Sequence, residues 1–161
     1  MRLQDFDFRI WDNHNKKYID NISYSIKKYQ NENKVFLPFS IDLSEYGDNE
    51  TFKDEIQMPS DRVEIELFTG LYDKNGKKIY EGDIISYITF QGTTLFYFVT
   101  INKDINIFEI FRIADLEKFE LYNRTENDRF SLYLFSKIND MKDIEVIGNI
   151  HNKTNLLKYK K

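Results

Sequence analysis

The chain has 161 residues, a formal net charge of −4 and no cysteine. The absence of cysteine excludes disulfides, thiolate metal sites and cysteine nucleophiles, and the negative charge argues against general binding of polyanions. No apolar run approaches the roughly 18 residues of a membrane span, and the N-terminus has no apolar core of the signal-peptide kind. We therefore expect a cytoplasmic protein.

The composition favours strands, because the chain has fourteen Phe and eleven Tyr but only six Gly and two Pro, and aromatic and β-branched residues suit pleated surfaces. Apolar segments bounded by turn residues predict strands, in chain order, at 6–11, 18–26, 63–68, 84–90, 95–101, 107–113, 130–135 and 144–150. Pro38 makes the apolar segment 35–39 an edge strand or an extended loop. The acidic segment 40–60 predicts either a short helix near 44–55 or a mobile stretch, and a second short helix is expected at 116–121.

The centre of the chain contains the strongest turn signal. Asn75-Gly76 lies between two apolar runs and predicts a type I′ hairpin turn, in which both central residues have positive φ. Glu81-Gly82-Asp83 predicts a second reversal of the chain just before the next strand. Together these signals indicate a tight β-meander.

Short strands with turns every few residues predict a mainly β protein, either all-β or β-rich α+β. We expect residues 61–152 to form a small SH3-like or OB-like barrel or a meander. Residues 1–60 would form a smaller β lobe with an acidic loop, and residues 153–161 a basic tail.

Three segments resemble the YopX family of proteins from Gram-positive bacteria, their phages and prophages: Phe8–Asp12, Phe68–Ile84 and Glu145–Ile150. The resemblance implies a mostly β, two-lobed protein with mobile elements that assembles into a homo-oligomer in a bacterial host cell. It carries over no catalytic residues. The motif residues, which we expect to build turns, are Trp11, Gly70, Asn75, Gly76, Glu81, Gly82, Asp83, Gly148 and Asn149.

Few residues suggest catalysis or metal binding. His14 and His151 stand in polar turns without ligand spacing around them, so both are expected to be exposed, and no metal or cofactor is predicted. Glu81 and Asp83 form a carboxylate pair that suits acid–base or metal chemistry. The favoured interpretation is structural, with Asp83 accepting backbone N–H groups and Gly82 supplying a positive φ.

Aromatic residues beside lysines suggest a surface for nucleic acid, on which bases stack on rings and lysines bind phosphate. The candidate contacts are Tyr72, Tyr80, Tyr87, Tyr97, Lys74, Lys77 and Lys78. The alternative is that the rings belong to the core and the lysines are solvated turn residues that protect an edge strand. The net negative charge favours this alternative.

Three functions follow in order of preference. The first is a non-enzymatic accessory protein that assembles and binds a host or phage macromolecule. The second is a nucleic-acid-binding barrel, and the third is a metal-dependent hydrolase that uses Glu81 and Asp83. The acidic run 42–66 is either a solvated loop, which is the favoured interpretation, or a surface for a basic protein, or a mimic of nucleic acid.

Overall fold

The computed structural model describes residues 7–20, 25–42, 51–122, 129–138, 141–152 and 156. These residues form thirteen strands, one α-helix and a short 3-10 turn, which confirms the prediction of a mainly β fold. The elements are β1 Phe8–Asp12, β2 Lys17–Tyr18, β3 Ser25–Lys28, β4 Asn33–Asp42, β5 Thr51–Gln57, β6 Val63–Tyr72, β7 Lys78–Tyr80, β8 Asp83–Ile88, β9 Thr94–Asn102, β10 Ile107–Asp115, β11 Glu120–Leu121, β12 Arg129–Ser131, α1 Leu132–Ile138, the 3-10 turn Met141–Asp143 and β13 Ile144–Asn149.

The chain divides into two compact units. The N-terminal unit is Arg9–Ile65, and the C-terminal unit contains Asp7, Phe8 and the described residues from Glu66 onward. The domain limits expected from the sequence, at residues 60 and 152, stay predictions. The helix α1 is seven residues long, and no helical segment in the described ranges has the length and apolar character that a bilayer span requires.

In the N-terminal unit, β1 and β2 form an antiparallel hairpin in which Trp11 lies opposite Tyr18. The two rings meet edge to face at 5.0 Å. The turn between the strands is fixed by Asp12, whose carboxylate accepts the backbone N–H groups of His14 and Asn15 and the guanidinium of Arg62. The ion pair with Arg62, together with these donors, holds the pKa of Asp12 well below its usual range. His14 is exposed in this turn, as expected.

Strands β3, β4 and β5 form a separate antiparallel sheet with β4 in the middle. The helix predicted near 44–55 is wrong where it overlaps β5, and its residues 44–50 lie outside the described residues. Pro38 lies within β4 rather than in an edge strand or a loop. In the register of this sheet, Pro38 lies opposite Glu55 of β5.

In the C-terminal unit, the main sheet is antiparallel with the strand order β11-β10-β9-β8-β13, and β12 also pairs with β10. Its core contains fully buried side chains from four neighbouring strands: Ile85, Val99, Ile110 and Ile144. Closure of this sheet into an SH3-like or OB-like barrel stays a prediction.

Two sequence-based assignments in this unit are wrong. Residues 116–119 form turns and β11 follows, so the helix expected at 116–121 is not formed. The strand expected at 130–135 ends at Ser131, and α1 begins at Leu132. Leu132 and Phe135 are both buried whereas Tyr133 is exposed, which is the i, i+3 pattern of a helix. The ring of Phe135 contacts the rings of Tyr87 and Tyr97 at 5.3 and 5.2 Å.

The central hairpin connects β6 and β7 as predicted, but its turn type differs. Asn75 does not have a positive φ, whereas Gly76 has φ = +76°. The Gly76 N–H donates to the Asp73 carbonyl at 3.0 Å, and the Asp73 N–H donates to the Lys77 carbonyl at 2.8 Å. The connection is therefore a turn over 73–76 whose last residue, Gly76, is left-handed, which is a common longer hairpin loop, and the type I′ prediction is wrong. The side chain of Asp73 favours this turn geometry, because its carboxylate accepts the N–H groups of Asn75 and Lys77 within the turn.

Gly76→Val tests the backbone requirement of this turn. A Cβ at residue 76 would meet no heavy atom within 4 Å, so any loss of stability arises from the positive φ and not from a clash. A left-handed conformation costs a non-glycine residue about 1–2 kcal/mol, and more for a β-branched one. We expect the Val variant to lose at least that much free energy of unfolding in urea titrations. The matched variant Gly76→Asn should lose much less, because Asn tolerates this region. Equal stability of wild type and the Val variant would contradict the turn geometry.

Candidate functional site

The second and third family segments meet in the C-terminal unit. Strand β8 begins at Asp83 and β13 ends at Asn149, and these two residues lie opposite each other in the antiparallel pair. Beside them, the Ile150 N–H donates to the Gly82 carbonyl and the Gly82 N–H donates to the Val99 carbonyl, both at 2.9 Å. Gly82 therefore connects three segments through its backbone.

Asp83 is almost completely buried, with 1% of its surface exposed. One of its carboxylate oxygens, Oδ2, accepts the Tyr80 backbone N–H at 2.9 Å. This bond closes the Glu81-Gly82 turn, in which Gly82 has φ = +82°. Burial and this bond make Asp83 a structural carboxylate of the turn rather than an open ligand for a metal ion.

A largely buried histidine–glutamate pair lies next to this turn. His151 Nε2 is 2.8 Å from Glu66 Oε1, and the two side chains are 12% and 6% exposed. His151 is therefore not the exposed turn histidine expected from the sequence. Glu66, which the acidic run placed in a solvated segment, is buried. The two residues are 85 positions apart, and no local pattern in the sequence signals their contact.

Gly82 makes room for this pair. A Cβ on Gly82 would approach Glu66 Oε1 to 2.7 Å, which is closer than real Cβ contacts and would displace the carboxylate. In the part of the chain that the structure describes, no cluster of three or more His, Asp or Glu side chains is arranged to hold a metal ion.

The carboxylate of Asp73 anchors the hairpin turn to β13. Oδ1 accepts the N–H groups of Asn75 and Lys77 at 2.8 and 2.9 Å, and Oδ2 accepts the Val146 N–H at 3.0 Å. Burial opposes the ionisation of Asp73, but the three N–H donors outweigh burial and hold its pKa below the ordinary value. The sequence gives no sign of the contact with Val146, which lies 73 residues away.

Lys74 strengthens the same junction. Its backbone N–H donates to the Ile144 carbonyl at 2.9 Å, and its ammonium group forms an ion pair with Glu145 at 2.8 Å. Two residues of the hairpin turn thus bind three successive residues of β13.

The remaining motif residues are also placed in turns or core positions. Trp11 is 6% exposed in the N-terminal unit. Gly70 has φ = +83° at the point where the register between β6 and β7 shifts, which is the position of a β-bulge. Gly148 allows close approach of Leu156, whose Cδ2 would be 2.7 Å from a Cβ at this position. The Asn149 side chain accepts the N–H groups of His151 and Asn152.

The candidate nucleic-acid contacts are brought together only in part. Tyr72 is 49% exposed, and its ring and that of Tyr80 flank Phe68 at 5.4 and 5.6 Å. Lys78 lies over the Phe68 ring but forms an ion pair with Asp7 at 2.6 Å. That contact raises the pKa of Lys78 and balances its charge.

Other members of that set are unsuited to stacking or to phosphate. Tyr97 is 5% exposed and belongs to the core, where burial raises the pKa of its hydroxyl. Tyr87 packs against the same core. The ammonium of Lys74 is paired with Glu145. Lys77 lies exposed in the turn.

An apolar cavity of about 390 Å³ opens on the C-terminal unit. It lies where the start of β10 meets the junction between β12 and α1. Its lining contains no charged residue, and consists of Thr69, Leu71, Asn106, Ile107, Phe108, Ser131, Leu132 and Tyr133. Two of the lining residues, Thr69 and Leu71, belong to the family segment Phe68–Ile84, and no local sequence pattern indicated the cavity.

Replacement of Asp73 by Asn tests the junction with β13. The amide has one acceptor oxygen instead of two, so one buried N–H group loses its partner, which costs about 1–3 kcal/mol. We expect Asp73→Asn to lower the free energy of unfolding by that amount in urea titrations at neutral pH. Asp104→Asn, at an exposed position of another turn, is the control and should change little.

The pH dependence of this difference has a definite sign. The pKa of Asp73 is lower in the folded protein, so its stabilisation is complete above the unfolded pKa of about 4 and is lost as the pH falls through the folded pKa. The gap between wild type and Asp73→Asn should therefore narrow below about pH 4. A gap that stays constant or widens there would contradict the assignment.

Comparison with known proteins gives a family but no activity. Among solved structures, a similar chain is that of protein EF1440 from Enterococcus faecalis, with 20% sequence identity and a TM-score of 0.47, covering 94% of this chain and 97% of that chain. No curated protein matches the chain. The model of the family described as YopX protein matches residues 7–158, and the chain therefore belongs to the YopX family.

Proposed function

We propose that this protein is a non-enzymatic accessory protein, encoded by a phage or prophage of Gram-positive bacteria, that acts in the host cytoplasm by homo-oligomeric assembly and by binding a macromolecule. The observation that carries the proposal is the apolar cavity of the C-terminal unit. Binding sites are concave and mostly apolar with a few polar groups, and this lining has five apolar or aromatic residues and three uncharged polar ones.

The rim of the cavity supports a protein partner. Ile107 and Tyr133 line the opening and are 37% and 64% exposed, and next to them in the chain Ile105 and Leu134 are 60% and 58% exposed. Large apolar side chains that adjoin a cavity in this way are typical of surfaces that bind other proteins, and Tyr is enriched in protein interfaces. The cavity and its rim therefore suit an apolar side chain of a partner protein.

Binding of nucleic acid is the second candidate, and the observation that favours it is the Phe68, Tyr72 and Tyr80 ring cluster beneath Lys78. The ion pairs of Lys74 and Lys78 reduce the positive charge there, so the candidate ranks below a protein partner. A metal-dependent hydrolase based on Glu81 and Asp83 ranks last, because the Asp83 carboxylate holds the turn.

Affinity capture from a Gram-positive lysate tests this order. We expect the tagged wild-type protein to retain a protein partner after nuclease treatment, identified by mass spectrometry, and Tyr133→Asp to lose it. Tyr29→Asp, which adds the same charge at an aromatic residue that is 45% exposed, should retain the partner.

Two outcomes would overturn the proposal. Capture that disappears with nuclease and falls steeply with salt, as phosphate contacts require, would put nucleic acid first. Equal capture by Tyr133→Asp and wild type would show that the cavity is not the binding surface.

A further inference from the structure

We infer that the apolar cavity of the C-terminal unit is a site for a small uncharged molecule of the aryl or alkyl ketone type, and that the backbone N–H of Phe108 donates to its carbonyl oxygen. The site goes beyond the proposed function, because binding of such a molecule needs no partner protein. Only one consequence, competition between the molecule and the partner for the cavity, rests on the proposed function.

The cavity has the size and the chemistry of a small-molecule site. Its volume of about 390 Å³ lies within the roughly 300–1,000 Å³ of ligand pockets and exceeds the roughly 150 Å³ that suffices for benzene. Its lining has no charged residue, so a charged group placed inside would lose its water without gaining a counter-ion. The part of the ligand that the cavity encloses is therefore uncharged.

The inner wall of the cavity is part of the hydrophobic core. Leu132 is buried in the core cluster, and Leu71 and Phe108 pack against that cluster. The hydroxyl of Thr69 is held as well, because it donates to the Ile79 carbonyl at 2.8 Å and accepts the Leu71 N–H at 3.2 Å. The wall is thus preformed, and binding does not have to order it.

Strand β10 provides a directed hydrogen-bond donor at this wall. The Arg112 carbonyl accepts the Tyr122 N–H at 2.8 Å, so the backbone groups of Arg112 point away from β9, toward the side on which β11 and β12 pair. In an antiparallel strand, the backbone groups of residues two positions apart point to the same side. The N–H of Phe108, four residues earlier in a regular part of the register, therefore points to that side as well.

The strand that would accept this N–H ends one residue too early. In the described residues, β12 pairs with β10 from Glu109 to Phe111, and its last residue, Ser131, lies opposite Glu109. The next position, opposite Phe108, is Leu132, where α1 begins and where C=O groups are directed along the helix. The Phe108 N–H therefore faces the cavity that Phe108 lines. Because a buried N–H without an acceptor costs free energy, a ligand carbonyl is favoured there.

An NMR titration of the purified full chain with three benzene derivatives tests the site. We expect acetophenone to bind, with amide shifts confined to the lining residues and largest at Phe108. Ethylbenzene lacks the carbonyl and should bind about 2- to 10-fold more weakly, which is the scale of one hydrogen bond, with little shift of the Phe108 N–H. Benzoate has an acceptor but carries a charge, and should not bind measurably.

Two variants that add the same charge locate the bound probe. Tyr133→Asp removes a ring from the lining and adds a carboxylate, so acetophenone binding should weaken by about 10-fold, which is the scale for burial of a large apolar side chain. Tyr29→Asp changes a residue of the N-terminal unit that does not line the cavity, and should bind acetophenone like wild type. The dispersion of the amide spectrum shows whether each variant is folded.

Each contrary result overturns a definite statement. Absence of shifts at the lining residues with acetophenone near its solubility limit would remove the site. Equal affinities of acetophenone and ethylbenzene would remove the role of the Phe108 N–H. Binding of benzoate as tight as that of acetophenone would remove the restriction to uncharged molecules.

Failure of the proposed function gives a different result, because the titration uses this chain alone. We expect acetophenone, added to the lysate, to reduce capture of the partner by the wild-type protein. Capture that persists while acetophenone fills the cavity would overturn the cavity as the surface for the partner and would leave the small-molecule site in place.

Discussion

The carboxylate of Asp73 is the interaction on which the C-terminal unit depends. It accepts hydrogen bonds from three backbone N–H groups, two from its own turn and one from Val146 in β13. Strand β13 pairs with β8 on one side, and on the other it meets this turn, which occupies N–H and C=O groups that an open edge would offer to another chain. A buried charge is favourable here because three donors surround it, which is the condition under which a carboxylate stays ionised inside a protein. The geometry of the turn is therefore coupled to the position of β13.

The family segments have a common physical explanation. Gly82 leaves space for the Glu66–His151 pair, Asp83 closes its own turn, and Asn149 caps the reversal after β13. These residues join distant parts of the chain, so their side chains are already bound. The family residues with these contacts therefore have a structural explanation, in that they hold turns and join distant parts of the chain.

Sequence reasoning predicted the strands whose apolar residues alternate or run continuously, such as β6 and β10. It failed where tertiary contacts determine the local structure of a segment. Phe130–Phe135 reads as one apolar strand, yet Leu132 and Phe135 are buried on one face of a helix. The geometry of the turn at Asn75 depends on Asp73. One of the three N–H groups that bind the Asp73 carboxylate belongs to Val146, 73 residues away. The proximity of Tyr72 and Tyr80 follows from the hairpin, whereas the Glu66–His151 pair and the cavity arise from segments that no local pattern connects.

Amide hydrogen exchange at Val146 tests the central role of Asp73 most directly. We expect the Val146 N–H to exchange slowly in wild type and much faster in Asp73→Asn, while the N–H of Val99, in the middle of the sheet, stays protected in both. Such a result would locate the effect at the junction rather than in global unfolding. Equal protection of Val146 in the two proteins would contradict the account.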